Sequence, residues 1–312
     1  MPHSDEEYSQ AQIIARASAG PSSGWALPLK AVQIELLDQN GDPGQVYDAA
    51  SGQPVGPMVA TGFLMREGAG EYYLYTCWHV VTGINPQAPA VPAQRLRRTT
   101  LRFSMQNNNE RAPGLHAIGG LQTITLPLYD TSTMPWRSLW GQDEQSRPNA
   151  DLAGVGLALP FWRDIVRIRV TPAIEPSLLQ VLTPVDQWSN LVSPGDNLMI
   201  VGYPYGYSSM RDSPNAVAIT RSVAATRLER ERPMDILIDG GGAPGMSGSP
   251  VFYVYEGRIY LYGVYTGVLY PDGPRPDPER TTALGTVCSL GTALPFVRPD
   301  ATQEQQQPPI LA

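Results

Sequence analysis

GGGAPGMSGSPVFYVYEGRIYLYGVYTGV, residues 240–268, is the stretch whose reading decides the fold. From Val251 to Tyr255 and from Ile259 to Tyr265 it is built of Val, Ile, Phe and Tyr, the residues that suit a pleated, half-buried surface. Only Glu256-Gly257-Arg258 separates the two runs, so they pair as a hairpin. Ahead of them, Gly240, Gly241, Gly242, Gly245 and Gly248 let the backbone turn sharply around Pro244. The segment therefore reads as a glycine-rich loop carrying Ser247, followed by a strand and not by a helix.

The same pattern extends outward in both directions. Ala31 to Leu36 alternates apolar and polar residues at period two, and Asn40-Gly41-Asp42-Pro43-Gly44 ends it. Val59 to Met65 and Tyr72 to Thr76 read as a hairpin joined by Gly68-Ala69-Gly70. Leu101 to Met105, Leu121 to Leu126, Asp151 to Leu159 and Ile165 to Val170 add further strands. Asn197 to Tyr203, Ala216 to Ala225 and Ile236 to Ile238 follow. The 30 glycines and 31 prolines are spread between these short runs, which is the punctuation of an all-β sandwich or barrel. Residues 1–30 form a polar arm, 31–170 a first β lobe and 171–298 a second. The Pro-bearing stretch Thr171 to Asp196 is the connection between the lobes, and 299–312 is a Gln- and Pro-rich tail expected to be disordered. Residues 83 to 99 and 130 to 149 are long polar loops of the first lobe.

Composition excludes several roles. The formal net charge is −7 and only 16% of residues are charged, so a nucleic-acid partner lacks its basic footprint. Neither a secretory leader nor an apolar run of spanning length is present, and the expected setting is cytoplasmic, without a membrane partner. Cys77 and Cys288 are too few for a disulfide-stapled scaffold. The histidines, His3, His79 and His116, stand apart with no ligand-spaced neighbour, so neither a metal nor another cofactor is expected.

Three segments carry chemistry. The Gly240–Phe252 loop offers a hydroxyl at Ser247 beside the backbone N–H groups of Gly245 and Ser247, a pair of donors for an oxyanion. One such donor contributes roughly 3–4 kcal/mol to a transition state. His79 follows the apolar Tyr72–Thr76 run and is the best-placed base for Ser247. Asp151 heads a small-residue apolar strand, where a pinned carboxylate can fix an imidazole tautomer and stabilise the imidazolium. Taken singly, these segments read equally as a Gly/Ser turn, a core histidine and a strand-initiating aspartate.

Taken together and in order, they resemble the trypsin-like serine peptidases. Thr76-Cys77-Trp78-His79-Val80 looks like that family's T-A-A-H-V motif. Asp151-Leu152-Ala153-Gly154-Val155 is similar to D-[IL]-A-[VL]-[LV], and Gly245-Met246-Ser247-Gly248-Ser249-Pro250-Val251 to G-[DN]-S-G-[GS]-P-[VL]. Gly202-Tyr203-Pro204-Tyr205-Gly206 resembles the G-[FY]-P-x-G turn of bacterial and organellar members. The likeness covers about residues 31 to 298. It implies two six-stranded antiparallel β-barrels with the active site between them, and a serine endopeptidase with His79, Asp151 and Ser247 as its triad. It also implies that Thr266, Gly267 and Val268 pair with an extended peptide substrate, and that Gly241 lies at the floor of the primary pocket. With no charge on Gly241, an apolar or small residue is expected at the cleavage site.

The chain departs from the family at two points. Met246 stands where animal trypsins carry the aspartate that pairs with a new N-terminus, so no activation by N-terminal cleavage is expected. Val80 replaces the usual cysteine after the histidine, so the family's common disulfide does not carry over. A catalytically inactive peptide-binding member of the same fold is the alternative reading. A lipase or esterase would need a strand-to-helix turn at the serine and the order Ser, Asp, His. The polar arm and the long loops are candidate contacts for a regulatory protein partner.

Overall fold

The computed structural model describes residues 24–38, 40–47, 54–67, 70–82, 99–112, 115–133, 137–143, 163–170, 176, 180–183, 187–188, 192–209, 215–229, 232–269, 284–291 and 296–297. Strands make up most of them. The first lobe runs through β1 (Val32–Leu37), β2 (Gln45–Tyr47), β3 (Pro54–Pro57), β4 (Val59–Glu67), β5 (Glu71–Thr76), β6 (Thr100–Ala112), β7 (Leu115–Pro127), β8 (Tyr129–Asp130), β9 (Arg137–Ser138), β10 (Trp140–Asp143), β11 (Val166–Val170) and β12 (Val181–Leu182). The second holds β13 (Asn197–Gly202), β14 (Val217–Glu229), β15 (Arg232–Asp239), β16 (Pro250–Tyr255), β17 (Arg258–Leu269) and β18 (Leu284–Ser289), after which β19 (Phe296–Val297) returns to pair with β10. The α-helical structure among the described residues is one short turn, Trp78–Thr82. No helix there is long and apolar enough to cross a membrane.

The second lobe is a closed six-stranded barrel in the order β13-β14-β15-β18-β17-β16. Its hairpin between β16 and β17 closes on Glu256 and Gly257, both at positive φ, with Tyr255 paired to Arg258. That is the two-residue turn whose twist matches the flanking strands. The first lobe is a curled nine-stranded sheet, β19-β10-β11-β5-β4-β1-β6-β7 with β12 beside β4. It differs from the six-stranded closed barrel expected, because β6 and β7 form a long hairpin reaching out to the Ala112–Leu115 pair, and β10, β12 and β19 add strands.

Period-two alternation drives the inward faces. In β1, Val32, Ile34 and Leu36 are buried, while Gln33 and Glu35 are not. Phe63, Leu64, Leu74, Phe103 and Ile168 fill the first lobe; Leu198, Ile200, Ile238, Val251 and Val287 fill the second. Each such side chain contributes about 1.5–3 kcal/mol on burial. The first core continues across the lobe boundary, where Cys77 and Trp78 share a cluster with Phe252, Val264 and Cys288. The connecting stretch crosses the same boundary: Val181 and Leu182 run parallel to Leu64 and Met65, and Gln187 bridges to Leu261.

Candidate active site

The site is assembled at this boundary. β5 ends at Thr76, and the chain turns through Trp78–Thr82. Trp78, Val80 and Val81 are buried in that turn, which leaves His79 to face outward, its side chain 23% exposed. β11 pairs antiparallel with β5, Val166 opposite Thr76, so the residue two before β11 arrives beside His79. That residue is Asp164. Its Oδ2 lies 2.5 Å from His79 Nδ1, and its Oδ1 accepts the His79 backbone N–H at 2.9 Å. The Nδ1 contact orients the ring, the backbone contact holds the carboxylate beside it, and Nδ1 as donor leaves Nε2 as the acceptor. Asp164 is itself 5% exposed.

The carboxylate that bonds to His79 among the described residues is Asp164. Asp151 lies outside the described residues. Motif matching favoured Asp151 because the Asp-Leu-Ala segment carries the family pattern within five residues. The signal for Asp164 was the pairing of the 165–170 strand with the 72–76 strand, which sets the position of whatever acid precedes it.

Ser247 is the second residue of the latter of two successive turns. Met246 N–H donates to Ala243 O at 3.1 Å, closing Ala243-Pro244-Gly245-Met246 with Gly245 at φ +92°. Ser249 N–H donates to Met246 O at 3.0 Å, closing a second turn with Gly248 at φ +89°. Proline second and glycine third at positive φ is the pattern of a type II turn. The Pro244 carbonyl accepts the Tyr205 N–H at 2.6 Å. In a trans peptide the N–H points opposite the carbonyl, so Gly245 N–H is directed away from Tyr205, and Ser247 N–H away from the Met246 carbonyl. Neither N–H donates to another of the described residues.

One first-lobe residue, Thr61 on β4, ties this loop down. Its N–H donates to Ser247 O at 2.9 Å, and its Oγ1 donates to Gly245 O at 2.8 Å and accepts the Tyr203 N–H at 3.1 Å. Its carbonyl accepts the Thr76 hydroxyl at 2.8 Å. Thr61 is fully buried. The serine loop and the end of the histidine strand are therefore joined through a single residue, which the sequence alone did not single out.

Cys77 lies in the same seam. Its thiol donates to Tyr265 O at 3.4 Å, and Gly248 N–H donates to that same carbonyl at 2.9 Å. Burial, then the Asp164 charge and Cys288, push the Cys77 thiol well above its ordinary range, against the lowering effect of Gly248 N–H. Cys77, His79 and Asp164 are the group whose atoms come within 4.8 Å of one another. Within it, Nδ1 and Oδ2 bond to each other and the thiol donates to Tyr265 O. Met246 points into the second core, 0% exposed, beside Leu198, Val251, Tyr262 and Tyr265.

Past Ser247, the ladder joining β16 to β17 ends at Pro250–Val264 and is continued by Tyr265 N–H to Ser249 O at 2.9 Å. Thr266, Gly267 and Val268 run on beside the loop, Thr266 bulging from its pairing with β18. Thr266 Oγ1 contacts Thr286 Oγ1 at 2.8 Å. Gly241 faces the Val268 side chain across the gap. The Asp239 carboxylate turns away from that gap to accept the Ser222 N–H at 2.6 Å.

Two β lobes meeting at such an imidazole–carboxylate pair are those of the chymotrypsin-like fold class. Residues 60–264, more than half of the chain, match the model of the trypsin-like peptidase domain, and the chain belongs to that family. Among solved structures it is similar to Rv3671c from M. tuberculosis H37Rv, in the inactive form of a serine-to-alanine mutant, with 13% identity, 88% of each chain covered and a TM-score of 0.41. It is similar to the scabies mite inactivated protease paralogue S-I1, with 11% identity, 87% of this chain and 93% of that one covered and a TM-score of 0.46. Human heparin binding protein gives 15% identity, 87% and 89% coverage and a TM-score of 0.40. No curated protein sequence matches the chain.

Proposed function

We propose that this chain is a serine endopeptidase acting through an acyl-enzyme. Ser247 Oγ attacks the substrate carbonyl, and His79 Nε2 takes its proton. Asp164 holds the ring through Nδ1 and stabilises the imidazolium. The N–H groups of Gly245 and Ser247 receive the oxyanion. His79 then gives the proton to the leaving amine, and water, deprotonated by the same nitrogen, releases the acid. The observation that carries this reading is the 2.5 Å contact between His79 Nδ1 and a buried carboxylate, on a turn tied by Thr76 and Thr61 to the serine loop. An acid holding Nδ1 fixes the tautomer and orientation that a general-base imidazole needs.

Its test is labelling with a phosphonofluoridate probe, followed by cleavage of a diverse peptide library, with Ser247→Ala as control. Labelling at Ser247 and cleavage lost in the variant are expected. Absence of labelling in the folded wild-type chain would sink the enzyme reading in favour of an inactive peptide-binding member of the fold.

A further inference from the structure

We infer that the side-chain pocket beside Ser247 is filled from within by Val268 and Tyr265 and admits only small residues, glycine, alanine or serine, at the bond cleaved; this rests on the peptidase reading above. A substrate whose carbonyl oxygen lies at the Gly245 and Ser247 N–H groups, and whose chain follows β17 past Tyr265, drops its side chain between two walls. One wall is the strip Gly241-Gly242. The other is Thr266 to Val268. The glycine strip carries no side chains and by itself would leave a deep slot.

The opposite wall occupies that slot. A Cβ on Gly241 would come within 2.7 Å of Val268 Cγ2 and 3.1 Å of Cγ1. A Cβ on Gly242 would come within 2.9 Å of Tyr265 Cζ and of its hydroxyl oxygen. The Gly242 N–H donates to that same oxygen at 2.6 Å. The isopropyl group of Val268, partly exposed, thus bridges the two walls, and the buried Tyr265 ring tip forms the floor beneath. Both glycines are required because their neighbours leave no room for even one methyl group. No carboxylate among the described residues redeems this for a cationic side chain: Asp239 is spent on Ser222, and Gly240 faces the Arg221 side chain, 3.4 Å from a Cβ built there.

The test is a library of peptides differing only at the residue that donates the scissile carbonyl, assayed with the full chain. A methylene-sized misfit in a pocket costs about 10- to 200-fold in kcat/KM. Wild type is expected to favour alanine over leucine, phenylalanine or arginine by at least that lower bound, and Val268→Ala to raise leucine relative to alanine by about tenfold. Equal cleavage after large and small residues by the wild type, or an unchanged profile in a folded, probe-labelled Val268→Ala chain, overturns the inference while leaving the peptidase reading intact. A wild-type chain that neither labels with a phosphonofluoridate nor cleaves any peptide overturns both.

Discussion

Thr61→Val isolates what the seam between the lobes does for catalysis. Valine keeps the shape of threonine and the backbone N–H bond to Ser247 O, and removes only the hydroxyl. That hydroxyl donates to Gly245 O at 2.8 Å and accepts from Tyr203 N–H at 3.1 Å. Removing it strands one buried acceptor and one buried donor, at about 1–3 kcal/mol each, so unfolding is expected to become easier by about 2–6 kcal/mol. The catalytic effect has a separate ceiling. In the proposed mechanism Gly245 carries one of the two oxyanion donors, and its carbonyl is one of the loop's two bonds to Thr61 on the first lobe. If losing that bond misaims the Gly245 N–H completely, kcat falls by about 10²–10³, the loss of one donor.

The assay is steady-state cleavage of a peptide ester together with thermal unfolding, below the variant's melting temperature. Because the oxyanion contact strengthens only in the transition state, kcat is expected to fall within that ceiling while KM stays near wild type. Thr61→Ser keeps the hydroxyl and loses one buried methyl; it is expected to be destabilised by about 1 kcal/mol with kcat restored. A Val variant whose kcat matches wild type refutes the reasoning. So does a Ser variant as slow as Val, since that would assign the effect to packing and not to the hydrogen bonds.

Three further outcomes follow from the geometry. Asp164→Asn is expected to lower kcat by about 10⁴, the cost of presenting His79 in the wrong tautomer; steady-state kinetics showing a larger loss for Asp151→Asn than for Asp164→Asn would refute the assignment. Met246 is fully buried among apolar side chains, so the full-length chain is expected to be active without processing, and a gain in kcat after trimming its N-terminus contradicts this. Burial and the Asp164 charge keep the Cys77 thiol protonated at neutral pH, so iodoacetamide is expected to modify it only in denaturant; rapid labelling of the native chain by mass spectrometry would show that the seam is open.

What could be read without coordinates was whatever is written locally. The β16–β17 hairpin is set by its Val and Tyr content and by Gly257, which takes positive φ freely beside Glu256 at φ 48°. The serine loop is legible from its glycines, since Gly245 and Gly248 supply the turns and nothing with a side chain fits: a Cβ on Gly248 would lie 2.0 Å from Thr61 O. His79 is legible because it is one of three histidines in the chain and follows an apolar strand within a segment that resembles the family's histidine motif. Asp164 was not, and the reason is physical. A carboxylate reaches Nδ1 through the order of strands in a sheet, and β11 lies beside β5 only because of pairings some ninety residues apart in the chain, Val166 opposite Thr76. Thr61 was hidden for the same cause. A threonine in a strand is ordinary by composition, and it becomes the anchor of the serine loop only when β4 of one lobe is laid against the serine turn of the other. Residues that act through their own backbone conformation are therefore written in the sequence; residues that act by holding another lobe's backbone are written in the topology.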